Sequence, residues 1–238
     1  MHAWISAVLV IILFRLEGAV PLHGLAQSDS AKCRPDRDGP SVARSAYPRS
    51  DTSAYRLPYA PGRAYPVWRT TSHFTRSNGG VGLYAIDIGM PIGTLLHASR
   101  AGVVVAARDS FPDGNDTDLQ ENYLMVKHID GTVSRYIHLT RGGVLVEIGD
   151  TVRQGQAVAR SGNSGQTGGP HLHFDVQACG PNLPPAYNQL PCGRTVAVTF
   201  RDAGPNRCGL VPGRSYRAAP PTDLPKRKGG RTQRAPEV

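Results

Sequence analysis

The stretch Gly168-Gly169-Pro170-His171-Leu172-His173-Phe174-Asp175-Val176 decides how the chain is read. After Pro170, polar and apolar side chains alternate with the period of a β-strand. Leu172, Phe174 and Val176 make one apolar face, and His171, His173 and Asp175 share the other. The two imidazoles stand about 6.6 Å apart, two residues of strand rise. At that spacing one can bind a metal while the other acts on whatever the metal holds. Taken alone, His-x-His also fits a half-buried strand with two exposed histidines, so the rest of the chain has to decide.

Short apolar runs of the same kind precede it. They cover residues 83–88, 95–108 with a break at Gly102, 122–128, 132–139, 144–148 and 157–160, separated by Gly, Asn and Asp turns. No long helical periodicity occurs, which is an all-β signature. Asp130-Gly131 is a hairpin turn signal, and residues 195–200 (TVAVTF) add one edge strand. Two segments, GTLLHASRAGVVVAARD and GDTVRQGQAVARSGNSG, echo each other with a Gly before a strand, a Gly in mid-run and a return strand ending in Ala-Arg. The fold expected is mainly β, a compact two-sheet antiparallel sandwich with a glycine-rich groove, one wall of which is GNSGQTGG (162–169). Biotin- and lipoyl-carrier domains share such internal symmetry but need a modified Lys at a hairpin tip. Between residues 65 and 211 the lysines reduce to Lys127, inside a strand.

The chain of 238 residues carries 27 Lys and Arg against 18 Asp and Glu, a net charge of +9. That surplus favours anionic partners such as nucleic acid, phospholipid or a bacterial wall, and charge alone does not choose among them. Residues 3–14 form an apolar run too short to span a bilayer comfortably and about right for a signal-peptide core. Gly24-Leu25-Ala26 supplies small residues before a cut ahead of Gln27, so residues 1–26 read as a signal peptide, with an uncleaved anchor as the other reading. Export to the bacterial periplasm or extracellular cell-wall space follows, without stable membrane insertion once the signal is removed. Residues 27–63, rich in Ser, Arg, Pro and Asp, read as a flexible linker. Residues 64–200 hold the folded domain, and 201–238 read as a basic Pro-rich tail, disordered beyond Pro212. Cys33, Cys179, Cys192 and Cys208 allow three complete pairings. Cys179 with Cys192 would close a Pro-rich loop, and Cys33 with Cys208 would tie the two ends together. None has Cys-x-x-Cys spacing, which argues against a thiolate zinc site.

Taken together, GLYAIDIGMPIGT, VKHIDGTVSRYIHL, GDTVRQGQAVARSGNSG and GPHLHFDV resemble the lysostaphin-type zinc metallopeptidases, or LytM-like domains. The likeness covers roughly residues 65–176, with the motifs in the family's order. It implies one zinc ion per chain, peptidoglycan peptides as partners and substrate, and hydrolysis of their amide cross-links. It also implies Asp87 and His173 as zinc ligands, with His138 (in Tyr136-Ile137-His138-Leu139) and His171 as catalytic histidines. A catalytic zinc typically has three N/O protein ligands and one open position. Many members place the first ligand histidine four residues before the aspartate, where this chain has Leu83, and Leu cannot bind zinc. His73, joined to the Asp87 strand by a glycine-rich connection, is the expected substitute, and His97 is its rival. His128, just before the hairpin turn, reads as structural. The loss at Leu83 also motivates an alternative: a catalytically inactive LytM-like domain that binds the wall or activates another wall hydrolase. A specific nucleic-acid binder has the charge but no recognition motif.

Overall fold

Residues 32–37, 39–71, 82–178 and 195–221 are described by the computed structural model. Among them strands dominate. In chain order they are β1 (Lys32–Cys33), β2 (Val42–Ala43), β3 (Ala64–Arg69), β4 (Ile86–Gly89), β5 (Leu95–His97), β6 (Gly102–Arg108) and β7 (Tyr123–Lys127), followed by β8 (Val133–Ile137), β9 (Leu139–Val144), β10 (Thr151–Val152), β11 (Ala157–Ser161), β12 (His171–Gln177) and β13 (Ser215–Arg217). Two short 3-10 turns, Arg44–Ala46 and Ser50–Thr52, lie among the described residues, and no described helix is long and apolar enough to cross a membrane.

An eight-stranded sheet runs in the order β10-β6-β7-β8-β12-β4-β3-β13, and a three-stranded sheet in the order β5-β11-β9. The named strand pairs are antiparallel. The main-sheet hairpin β7–β8 turns at Asp130-Gly131 as the sequence predicts. Gly131 takes φ 82°, and the Asp130 carboxylate accepts from the Thr132 hydroxyl at 2.7 Å. β12 is central, paired on one side with β4 and on the other with β8. Its apolar face packs into the core: Leu172, Phe174 and Val176 are fully buried, and the Phe174 ring meets Tyr136 edge-on at 5.3 Å. Its polar face is buried too, with His171, His173, Asp175 and Gln177 all 5% exposed or less. Two exposed histidines on a half-buried strand are thereby excluded.

Several boundaries differ from the sequence reading. The 83–88 run opens as a turn, with the Ala85 amide donating to the Gly82 carbonyl, and pairs as a strand only from Ile86. The strand expected at 144–148 lies earlier, at Leu139–Val144, because the chain then bends through the Asp150 N–H to Glu147 carbonyl bond. Residues 195–200 form no strand. They make isolated bridges, Gln177 with Thr195 and Phe200 with Tyr55, and bury Val198, Thr199 and Phe200 across the core.

The expectations for the flanks need correction. The described part of 27–63 is no flexible linker. Tyr55, Leu57 and Tyr59 alternate into the core at 7%, 2% and 3% exposure. The Leu57 amide donates to the Asp202 carboxylate at 2.8 Å, and the Tyr59 hydroxyl donates to the Tyr216 carbonyl at 2.7 Å. The tail is likewise structured as far as residue 221: β13 extends the sheet beside β3, and Leu210 and Ala218 are buried. Both flanks pack into the one main core and bond to each other, and that is the physical reason neither is loose. The apolar run 3–14, Cys179, Cys192 and residues 222–238 lie outside the described residues.

Cys33 and Cys208 form a disulfide with Cα atoms 5.5 Å apart, closing a separation of 175 residues. Its removal frees a very long loop in the unfolded chain, worth up to about 5 kcal/mol in the loop-entropy account. Cys33→Ser is therefore expected to lower the melting temperature by about 10 °C or more for a chain of this size, read by calorimetry without reductant.

Candidate active site

Strand register assembles the site. On β12 the odd-numbered residues share one face, and the ladder sets His173 opposite Asp87 of β4 and Asp175 opposite Arg135 of β8. The Asp87 Oδ1 atom lies 3.1 Å from His173 Nδ1 and 3.5 Å from His171 Nε2. His138 sits between β8 and β9 with φ 64°, a left-handed conformation that costs a non-glycine residue of order 1–3 kcal/mol and tends to gather at functional sites. Its ring centroid is 4.7 Å from that of His171 and 6.0 Å from that of His173. Four of the five residues expected from the sequence (Asp87, His138, His171 and His173) are thus brought together and buried. The fifth, His73, lies outside the described residues. Its rival His97 stands on β5 opposite Ala157, in the smaller sheet, away from the strands that carry Asp87 and His173. His128 is structural as expected, bonded through its two ring nitrogens to the Ala101 carbonyl and the Ser134 hydroxyl.

Hydrogen-bond partners dictate where each neutral imidazole keeps its proton. A carbonyl oxygen only accepts. His138 Nδ1 lies 2.7 Å from the Ser164 carbonyl and His171 Nδ1 lies 2.8 Å from the Gly169 carbonyl, so both carry hydrogen on Nδ1 and keep a lone pair on Nε2. Both carbonyls belong to the glycine-rich stretch 162–169, which therefore does more than line a groove. Its Gly162 passes so close to the Leu139–Thr140 backbone that a Cβ would stand 2.2 Å from the Thr140 amide nitrogen. Burial, with the neighbouring His171 and His173, lowers the His138 pKa to about 3, so it stays neutral at working pH.

His173 differs. Burial lowers its pKa, but hydrogen bonds to Asp175 and Asp87 outweigh that and push it up to about 9. Its Nε2 faces Asp175 Oδ2 at 3.1 Å, its Nδ1 faces Asp87 Oδ1 at the same distance, and carboxylates cannot donate. An imidazole between two carboxylate oxygens needs a second positive centre, either a proton on Nδ1 or a cation shared by Nδ1 and Asp87. Nitrogen and oxygen donors of this type suit zinc. Among the described residues no group of three or more His, Cys, Asp or Glu side chains is placed to hold a metal, so these two would be part of a ligand set.

Sequence reading gave no role to Arg135, Asp175 or Trp68. Arg135 donates through Nε and Nη2 to the two Asp175 oxygens at 2.9 and 2.5 Å, with Asp175 wholly buried. Although burial alone would raise it, Arg135 and His173 hold the Asp175 carboxyl well below the usual range. Position 175, two residues after His173 on the same face, was the available signal. Trp68, 47% exposed on β3, lies flat over Gly89, where a Cβ would come within 2.2 Å of the indole, and its ring centroid is 5.6 Å from that of His171.

Residues 82–185, which contain these histidines and Asp87, match Peptidase family M23. The chain carries an M23 peptidase domain. It is 34% identical over 143 residues to the peptidoglycan DD-endopeptidase ShyA of Vibrio cholerae, covering 59% of this chain and 29% of that one. It is 37% identical over 99 residues to lysostaphin of Staphylococcus simulans, covering 41% and 18%. The chain thus spans about a third or less of the length of these relatives. The solved catalytic domain of lysostaphin from Staphylococcus simulans aligns with 58% of this chain and 88% of its own, at 27% identity and a TM-score of 0.38. The M23 domain here is mainly β with antiparallel sheets, as the sequence reading expected.

Proposed function

We propose that this M23 domain is a zinc-dependent endopeptidase that hydrolyses amide bonds in peptidoglycan peptide cross-links, after export to the periplasm or cell-wall space. The single observation that carries the reading is the convergence of Asp87, His138, His171 and His173 at one buried point of the sheet, with tautomers set by their partners. Relatives named as peptidoglycan endopeptidases support the substrate class.

Asp87 through Oδ1 and His173 through Nδ1 would hold the ion, with His73 as the proposed third ligand. When bound, zinc supplies Lewis acidity toward a scissile carbonyl and lowers the pKa of a water molecule. With Nδ1 held by a carbonyl, His138 and His171 each keep a lone pair on Nε2, and their ring centroids lie 4.7 Å apart, so either can accept the proton of an attacking water and pass it to the leaving amine. When it carries a proton at Nε2, His171 can donate to the developing oxyanion, a role that His138, held neutral by burial, does not fill. Trp68 would form a wall beside His171 against which an extended peptide packs. Aromatic contacts of this kind are worth about 0.5–1.5 kcal/mol, so Trp68→Ala is expected to raise KM roughly two- to tenfold with kcat little changed, measured by steady-state cleavage of a cross-linked muropeptide.

The test is direct. Purified protein with its zinc content measured is incubated with sacculi, and released peptides are identified by mass spectrometry. Cleavage at a cross-link that a chelator stops and zinc restores supports the enzyme. Leu83 favours the second reading, an inactive domain that binds wall or activates another hydrolase, since that residue packs beside Cys33, Val42 and Tyr47 and offers no ligand. Sacculus binding without zinc and without cleavage would decide for it.

A further inference from the structure

We propose that Asp175, anchored by Arg135, is a positioning residue that fixes the tautomer and the ring orientation of His173. The inference rests on the proposed role of His173 as a metal ligand. The geometry is specific. Asp175 Oδ2 accepts from Arg135 Nη2 at 2.5 Å and lies 3.1 Å from His173 Nε2, while Asp175 Oδ1 takes Arg135 Nε at 2.9 Å. Gln177, next on the same face, brings its amide oxygen within 2.8 Å of Arg135 Nε in the orientation that satisfies both groups.

A carboxylate clamped by two guanidinium N–H groups remains ionised and can only accept. The hydrogen of a neutral His173 is then held on Nε2, and the Nδ1 lone pair is turned toward Asp87 Oδ1. Without the carboxylate, the ring could place hydrogen on Nδ1 and present nothing to a cation. The ladder makes the arrangement rigid, because Asp175 pairs with Arg135 across β12 and β8 while His173 pairs with Asp87 across β12 and β4. Stability alone is a poor account of such a pair. Buried ion pairs are often no more stabilising than apolar residues of similar volume, whereas carboxylates behind a metal-binding imidazole commonly govern metal affinity.

The experiment uses the full chain and two variants, Asp175→Asn and the neutral double variant Arg135→Gln/Asp175→Asn. Zinc affinity is measured by competition with a chromophoric chelator, and thermal stability is measured on metal-free protein. The single variant is expected to bind zinc about 10–100-fold more weakly and to melt lower, because it leaves a buried guanidinium without its carboxylate. The double variant also removes the guanidinium charge and is expected to regain most of the lost melting temperature while zinc affinity stays low. Recovery of both together in the double variant, or zinc affinity within twofold of wild type in a folded single variant, overturns the positioning role. Wild-type protein that takes up no zinc overturns the metal reading itself, a result separable from either of these.

Discussion

Asp87→Ala and His173→Ala are each expected to take the protein from near-stoichiometric zinc to little or none, and peptide hydrolysis with it. Each change removes one of the two donors that face each other at 3.1 Å across the β4–β12 ladder. A catalytic zinc held by three protein ligands cannot ordinarily lose one and keep useful affinity. Elemental analysis of each purified variant, beside cleavage of a defined cross-linked peptide, measures both losses. Full zinc in either variant would remove these residues from the ligand set. His73→Ala belongs in the same series, and retention of zinc there would return the third position to open question.

The proton bookkeeping at His173 adds a pH dependence with a definite sign. In the metal-free fold its pKa is raised to about 9, above the ordinary 6.5. The extra stability that this shift confers is fully present below pH 6.5 and is lost as pH rises through 9. Zinc needs the neutral ring, so capture at pH 7 must expel a proton. Apparent affinity should fall about tenfold for each unit below pH 9. Titration calorimetry at pH 7 in buffers of different ionisation enthalpy should show about one proton released per ion bound. No release at pH 7 would contradict the protonated pair.

The centre of the site was legible because it obeys a local rule. Alternation in a strand puts His171, His173 and Asp175 on one side whatever the rest of the fold does. Asp87 was visible through the resemblance carried by GLYAIDIGMPIGT, and as a charge inside the apolar run 83–88 it needs a partner when buried. Arg135 was not visible, since its partner Asp175 is 40 residues away and only strand register unites them. The flanks failed for a related reason. Tyr55, Leu57 and Tyr59 alternate as a buried strand would, but Ser, Arg and Pro around them lowered the average, and much of the surface that receives them is distant in sequence, at Leu96, His128 and beyond residue 195. Composition weighs a segment by itself, whereas burial depends on what meets it.

His138→Ala and His171→Ala should separate chemistry from metal binding. Each is expected to keep its zinc and to lose about 10²–10⁴-fold in kcat, the usual worth of a positioned proton-transfer group. The reason lies in the tautomers. Backbone carbonyls at Ser164 and Gly169 hold the Nδ1 hydrogens, so each Nε2 stands ready as a base without any rearrangement. The double variant should be scarcely worse than the poorer single one, because groups acting on one proton do not contribute additively. His138 also separates two origins of acid inactivation. Its pKa, lowered to about 3 by burial and by its histidine neighbours, keeps it neutral through mild acid. The acid limb of the rate profile should therefore follow zinc loss and lie at the same pH in His138→Ala as in wild type, although the rate is lower throughout. A limb that moves by a unit or more in that variant would make His138 the titrating group, and burial would no longer account for its behaviour.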